Sequence, residues 1–254
     1  SRIRKAIKKN KKVSKKFDNK EFDRIKNKVD FELTNDQNIA LDEINKDLKS
    51  NQKMFRLLQG DVGSGKTIVA LIASANVISS GFQVCLMAPT EILARQHYNL
   101  ASKLFDENIN IKILTSKTEY VERNEILKNL NNNNINFIIG THSLFQEKIK
   151  YNNLGLIIID EQHKFGVKQR KKLSDKGGKN CDVLVMSATP IPRTMIMTVF
   201  GDMDTSIIKN KPKNRKEIKT YSKLENKFEE IIKFVKKQIN HKNQVFWVCP
   251  LIEE

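Results

Sequence analysis

The sequence predicts an α/β fold in which a mostly parallel sheet is covered by helices on both faces. Three observations carry that expectation. Short Val- and Ile-rich runs recur at 55–59, 83–89, 111–115, 136–140, 154–160 and 182–188. They are continuous apolar runs rather than alternating ones, as strands buried on both faces are, and helical patterns fill the intervals. A glycine-rich turn directly follows the first run and opens a helix over 67–80.

Taken in order, residues 1–30 are Lys- and Asn-rich and weakly periodic, a basic lead-in helix or linker. They hold thirteen Lys or Arg against four acids, about half of the chain's cationic surplus. A solvated basic face and a direct DNA contact both fit that pattern. From Phe31 to residue 208 the text becomes a regular strand–helix alternation, expected to form one lobe. Thr34 and Gln37 have the spacing of a capping box, which opens a helix running through Leu48. Asn131–Asn134 reads as a surface loop and Gly177–Gly178 as a turn. Residues 209–217 read as a polar linker. A strand at 218–222, an amphipathic helix at 226–241 and a strand at 244–251 then read as the truncated βαβ start of a second lobe.

Composition narrows the partners. A hydrophobic content of 39% with five prolines and ten glycines indicates a globular core. A net charge of +17 and a pI near 9.7 favour a polyanionic partner, nucleic acid before membrane. Cys85, Cys181 and Cys249 are far apart, lack CxxC spacing and each fall in an apolar run. They read as reduced core residues, neither disulfides nor zinc ligands. No apolar stretch approaches the ~20 residues of a membrane span, and no signal peptide is legible. A monomeric cytoplasmic, DNA-associated protein is expected, or one of a DNA-containing organelle. The chain stops just after a strand-like run and reads as a piece of something longer.

The chemistry begins at Gly60-Asp61-Val62-Gly63-Ser64-Gly65-Lys66-Thr67, which matches G-x-x-x-x-G-K-[ST] between a strand and a helix. Glycines let consecutive N–H groups turn toward phosphate oxygens, and the helix start adds positive potential. Lys66 is placed to neutralise the β and γ phosphates, and Thr67 to offer an oxygen to Mg²⁺. At the end of the run 156–159, Asp160 and Glu161 emerge where open α/β sheets bind ligands. Asp160 can hold the Mg²⁺ shell and Glu161 can orient and deprotonate water. An acidic pair after a strand is more often a helix cap, but the upstream glycine turn reverses that preference. Together they indicate nucleoside triphosphate hydrolysis on a P-loop lobe.

Further motifs resemble those of superfamily 2 helicases, which implies a RecA-like lobe and ATP as its nucleotide. Asp160-Glu161-Gln162-His163 resembles the DExH box, and Met186-Ser187-Ala188-Thr189-Pro190 the S-A-T motif, whose hydroxyls Ser187 and Thr189 are expected to bond His163. Capping of the next helix would equally explain those hydroxyls. The segment from Phe31 to Gln37 is similar to the Q motif, which implies that Gln37 reads the adenine edge and that Phe31 lies near the base. Ala88-Pro89-Thr90-Glu91-Ile92-Leu93-Ala94-Arg95-Gln96-His97 and Gly140-Thr141-His142-Ser143-Leu144 resemble motifs Ia and Ib. Pro89, Thr90, Arg95, Thr141 and His142 are thereby implied as DNA-backbone contacts, which grip without reading sequence.

The resemblance sharpens toward the RecG family. It is carried by residues 160–170, by Met186-Ser187-Ala188-Thr189-Pro190-Ile191-Pro192-Arg193-Thr194, by Gly201-Asp202-Met203-Asp204 and by residues 249–254. It covers roughly residues 31–254 and implies translocation on duplex DNA, with forks and Holliday junctions as substrates. Transcription-repair coupling translocases share much of this lobe, but Gln162-His163 and Ser64 depart from their usual pattern. The family's wedge domain and the arginine-bearing half of its second lobe have no counterpart here. An arginine finger contributes orders of magnitude to hydrolysis, so this piece alone is expected to bind nucleotide weakly and turn it over slowly or not at all. A nucleic-acid-binding lobe without turnover is one rival. A metabolic P-loop kinase is the other, and it leaves residues 88–97, 140–144 and 186–190 unexplained.

Overall fold

A computed structural model of the chain describes residues 11–17, 20–29, 31–146, 149–161, 178–189, 203–210 and 219–249. The chain divides into two compact units, 1–213 and 214–254.

The first unit is built on seven parallel strands: β1 (Phe55–Gly60), β2 (Gln83–Met87), β3 (Ile111–Leu114), β4 (Phe137–Gly140), β5 (Leu154–Asp160), β6 (Asp182–Ser187) and β7 (Asp204–Ile208). Their order in the sheet is β3-β4-β2-β5-β6-β1-β7, and every pairing is parallel. Six strands lie where the apolar runs place them. β7 was not expected, because Asp204, Thr205 and Ser206 are polar and only Ile207 and Ile208 carry a strand signal. As an edge strand it needs one paired side, which β1 supplies.

Side chains alternate between two cores. Leu58, Leu86, Ile139, Ile158 and Met186 face one side, while Leu57, Met87, Ile138, Ile157 and Val185 face the other. The first face is covered by α1 (Lys20–Lys28), α2 (Asn35–Lys49), α3 (Lys66–Ser79) and α4 (Glu91–Leu104). α5 (Tyr120–Asn131) contributes Ile126 and Leu130 to the second. Residues 68–78 of α3 are all buried, as expected of a helix apolar all round. Each fully buried Leu or Ile contributes roughly 1.5–3 kcal/mol. The predicted capping box forms: Thr34 Oγ1 accepts from Gln37 N, and Gln37 Oε1 accepts from Thr34 N.

The described residues of the basic N-terminal segment, 11–17 and 20–29, pack into this unit. Lys12 and Lys15, whose side chains are fully buried, each place Nζ 2.6 Å from Asp182 Oδ2 at the start of β6. Asp182 Oδ1 accepts from Met54 N at 2.7 Å. α1 contributes Ile25 to the core and is pinned by Arg24 and Lys28 to Asp106. Lys12 and Lys15 are therefore part of the packing, not of an exposed basic face.

The second unit holds a 3-10 turn (Glu225–Lys227) and α6 (Phe228–Asn240), where the sequence predicts a helix. The flanking strands do not form: 219–222 and 244–249 are without regular structure. A parallel strand needs a backbone ladder beside it, and among the described residues of this unit none is present. Phe228 meets Trp247 edge-on at 5.7 Å, and α6 has no buried residue. Cys249 is exposed, contrary to the expectation of three core cysteines, whereas Cys85 and Cys181 are buried. Burial pushes the Cys181 thiol up to about 12, which makes it unreactive.

Candidate functional site

The strand order decides where the chemistry meets. β1 and β5 both border β6, so the glycine turn after β1 and the acidic pair after β5 emerge at the same, C-terminal edge of the sheet. Burial lowers the Lys66 pKa from its ordinary 10.5, while Glu161, Asp160 and Asp61 act against that shift, Glu161 most strongly. The lysine and both carboxylates thus share one electrostatic environment.

The turn is shaped by its glycines and braced from outside. Gly63 and Gly65 have φ of 75° and 87°, which L side chains adopt only at a cost. A Cβ on Gly65 would lie 2.2 Å from Gln37 Nε2. Gln37 is 1% exposed and donates through Nε2 to Ser64 O at 2.8 Å. The capping glutamine is therefore also the brace of the glycine turn, and its carbonyl is held by Thr34. Adenine reading, which the sequence implied for it, has only the remaining amide hydrogen and lone pair to use. Phe31 is exposed near the same helix start, and Val62 projects from the turn, 72% exposed.

Lys66 Nζ donates to Gly60 O at 2.6 Å and Asp61 O at 3.0 Å. Ser64 Oγ is buried without a hydrogen-bond partner, an orphaned polar atom inside the cradle. Thr67 lies half-buried in the first turn of α3. Its hydroxyl and the Asp160 carboxylate form a hard-oxygen donor pair, and Mg²⁺ takes one or two carboxylates alongside phosphate and water. Among the described residues no group of three or more His, Cys, Asp or Glu is arranged to hold a metal ion by itself.

At the acidic pair, Asp160 is 8% exposed and His97 Nε2 lies 2.8 Å from its Oδ2. Glu161 adopts φ of 49°, a sparsely populated conformation for a residue with a Cβ and one that clusters at functional sites. Its Oε1 accepts from Ala188 N at 3.0 Å. Ser187 Oγ and Thr189 Oγ1 are 3.0 Å apart, and Thr189 N donates to Ser187 Oγ. The S-A-T segment is thus tied to the acidic pair through a backbone N–H, while its hydroxyls hold their own turn. His163, expected as their partner, lies outside the described residues, as do most of the residues that carry the RecG resemblance between 162 and 202.

The expected nucleic-acid contacts converge in part. Pro89, Thr90, Thr141 and His142 line one groove of about 560 Å³, together with Ser116 and Arg123. Thr90 Oγ1 caps α4 by accepting from Leu93 N. Arg95 does not line the groove: both its Nε and its Nη2 donate to Glu91 Oε1 one turn back. Arg123, aimed by Gln146 Oε1, takes the cationic position instead. Sequence reading missed it, as one arginine on a helix outside any motif gives no signal.

The DEAD/DEAH box helicase family model matches residues 34–198 of this chain. The chain belongs to the DEAD/DEAH box helicase family. The chain is also similar over nearly its whole length to curated proteins named ATP-dependent DNA helicase RecG. That of Bacillus subtilis is 46% identical over 243 residues, 95% of this chain and 36% of the relative. That of Thermotoga maritima is 45% identical over 254 residues, all of this chain and 32% of the relative. The chain therefore spans about a third of the length of the curated relatives it matches. A structure of RecG bound to a three-way DNA junction superposes with a TM-score of 0.86 at 42% identity, over 99% of this chain and 34% of that one. The DEAD-box helicase Mss116 bound to ssRNA and UDP-BeF gives 0.64 at 19% identity, over 88% of this chain and 51% of that one. At that identity the likeness shows a shared fold alone.

Proposed function

We propose that this chain carries the ATP-binding motor lobe of a RecG-type DNA helicase that hydrolyses ATP to translocate on branched duplex DNA. The observation that carries it is the meeting of Lys66 with Asp160 and Glu161 at one sheet edge, with β6 between their strands. The names of the relatives supply the substrate class. A soluble, DNA-associated cytoplasmic protein acting as a monomer fits this assignment. Among the described residues no helix is long and apolar enough to cross a membrane.

In this mechanism the backbone of 60–67 cradles the triphosphate, and Lys66 exchanges the carbonyls of Gly60 and Asp61 for β and γ oxygens. Burial has already stripped much of its water, which strengthens its interaction with an incoming anion. Thr67 and Asp160 would hold Mg²⁺. When bound, the ion neutralises charge on the phosphate oxygens. Glu161 orients the attacking water and takes its proton. Ala188 N–H fixes one carboxylate oxygen and so holds the orientation of the group. A change in the S-A-T turn therefore reaches the general base directly. The groove lined by Thr90, Thr141, His142 and Arg123 grips a phosphate backbone without reading bases. Completion of the ATP site by an arginine outside the helicase lobe belongs to the proposal, so the lobe alone turns over slowly or not at all.

Steady-state ATPase measured on the intact protein, with and without forked DNA, tests this. Stimulation by forked DNA that is lost in Lys66→Ala is the expected result. Equal turnover with and without DNA would overturn the motor assignment.

A further inference from the structure

The buried stripe of α4 is made of Ala94, His97, Ala101 and Leu104, spaced three and four residues apart. Three of these are ordinary core residues. His97, at 6% exposure, is the polar exception, and burying an imidazole is unfavourable unless it is paired. Its partner is Asp160 Oδ2 at 2.8 Å. An ionised carboxylate only accepts, so Nε2 carries the hydrogen and donates.

This contact joins two parts of the lobe that the proposed function keeps separate. The start of α4, at Thr90 and Glu91, lines the candidate nucleic-acid groove. His97 lies seven residues after Thr90, two turns along the same helix and about 10 Å along its axis. Asp160 stands at the end of β5, beside Glu161, in the field of Lys66. With Oδ2 held by the imidazole, the carboxylate presents Oδ1 in a fixed direction. Partners of this kind commonly contribute 10–100-fold to metal affinity.

We propose that His97 is a positioning residue that fixes the Asp160 carboxylate for the divalent ion and links it to the nucleic-acid end of α4. The proposal rests on the ATP-site assignment above. A helix that shifts when its N-terminus engages a phosphate backbone carries the imidazole with it, and so re-aims the carboxylate. An ordinary core histidine would stabilise the lobe without touching either function.

The test compares intact wild-type protein with His97→Ala and His97→Gln, the latter keeping a side-chain N–H donor. Mn²⁺ titrations of the protein with a non-hydrolysable ATP analogue, followed by electron paramagnetic resonance, read the metal site apart from turnover. His97→Ala should need about 10–100-fold more Mn²⁺ for half-saturation and lose part of the DNA stimulation, with analogue binding in EDTA unchanged. His97→Gln should recover both. Wild-type Mn²⁺ affinity in His97→Ala overturns the proposal. So does equal failure of both variants, because that marks a packing role. Wild-type protein that shows no DNA-stimulated ATPase overturns the ATP-site assignment first, and this proposal with it.

Discussion

Replacing Asp182 should destabilise the lobe more than any change at the nucleotide edge, although it sits at the opposite end of β6. Its carboxylate takes two fully buried ammonium groups at 2.6 Å and the Met54 N–H at 2.7 Å. Without it, Lys12 keeps Asp47 O and Lys15 keeps Asn180 O as neutral partners. Leaving buried charge without its counter-ion costs about 3–5 kcal/mol, and orphaning a buried N–H adds about 1–3 kcal/mol. These effects overlap, so Asp182→Ala should cost about 4–6 kcal/mol, a large share of the roughly 5–15 kcal/mol of a typical domain. With a urea m-value of about 3 kcal/mol/M, the unfolding midpoint should fall by about 1.3–2 M. Asp182→Asn should cost less, since its carbonyl still accepts from Met54. Adding Lys12→Met and Lys15→Met to Asp182→Ala should recover part of the loss, since no buried charge then remains. A midpoint shift below about 0.3 M for Asp182→Ala would refute the claim that the N-terminal segment is locked by buried charge.

Lys12 itself gives a pH signature. Burial lowers its pKa below 10.5 against the pull of Asp182. Between that lowered value and 10.5 the unfolded chain binds more protons than the folded one, so stability rises with pH across the window. The urea midpoint of wild type relative to Lys12→Met should therefore increase as pH climbs toward 10.5, and a constant difference would contradict it. Gly65→Ala should cost about 1–2 kcal/mol for the left-handed backbone alone. It should also push Gln37 off Ser64 O, weakening binding of a fluorescent ATP analogue in a titration; unchanged affinity would show that the brace is idle. Arg123→Ala should weaken duplex binding by the intact protein at every sequence and flatten the salt dependence by about 0.9 in log–log slope. Arg95→Ala should leave that slope alone, its charge being spent on Glu91. Fluorescence anisotropy across a salt series distinguishes the two.

The parts legible in the sequence were those written locally. The Leu-Ile-Ile-Ile-Asp run of β5, the glycine turn and the Thr34–Gln37 box each specify their structure within a few residues. What was not legible depends on partners far along the chain. Lys12 and Lys15 look like solvated charge until Asp182, 170 and 167 residues away, is brought to them by β6. Arg56 reads as a blemish in an apolar strand, yet it binds Glu43, Asp47 and Ser206 and so ties α2 to β7. His97 stood inside a motif recognised for its nucleic-acid end, and nothing in its spacing points to Asp160. The described parts of the two predicted flanking strands, 219–222 and 244–249, show the converse. A locally convincing apolar run does not become a strand without a neighbouring ladder.

The central claim is that Lys66 and the Asp160–Glu161 pair act on one bound nucleotide. Single-turnover ATP hydrolysis by the intact Glu161→Gln variant on forked DNA tests it most directly, with radiolabelled ATP reporting binding and cleavage separately. Retained ATP binding with cleavage slowed by about 10²–10⁴-fold, as for loss of a general base, is the predicted result. Cleavage at the wild-type rate would contradict the account.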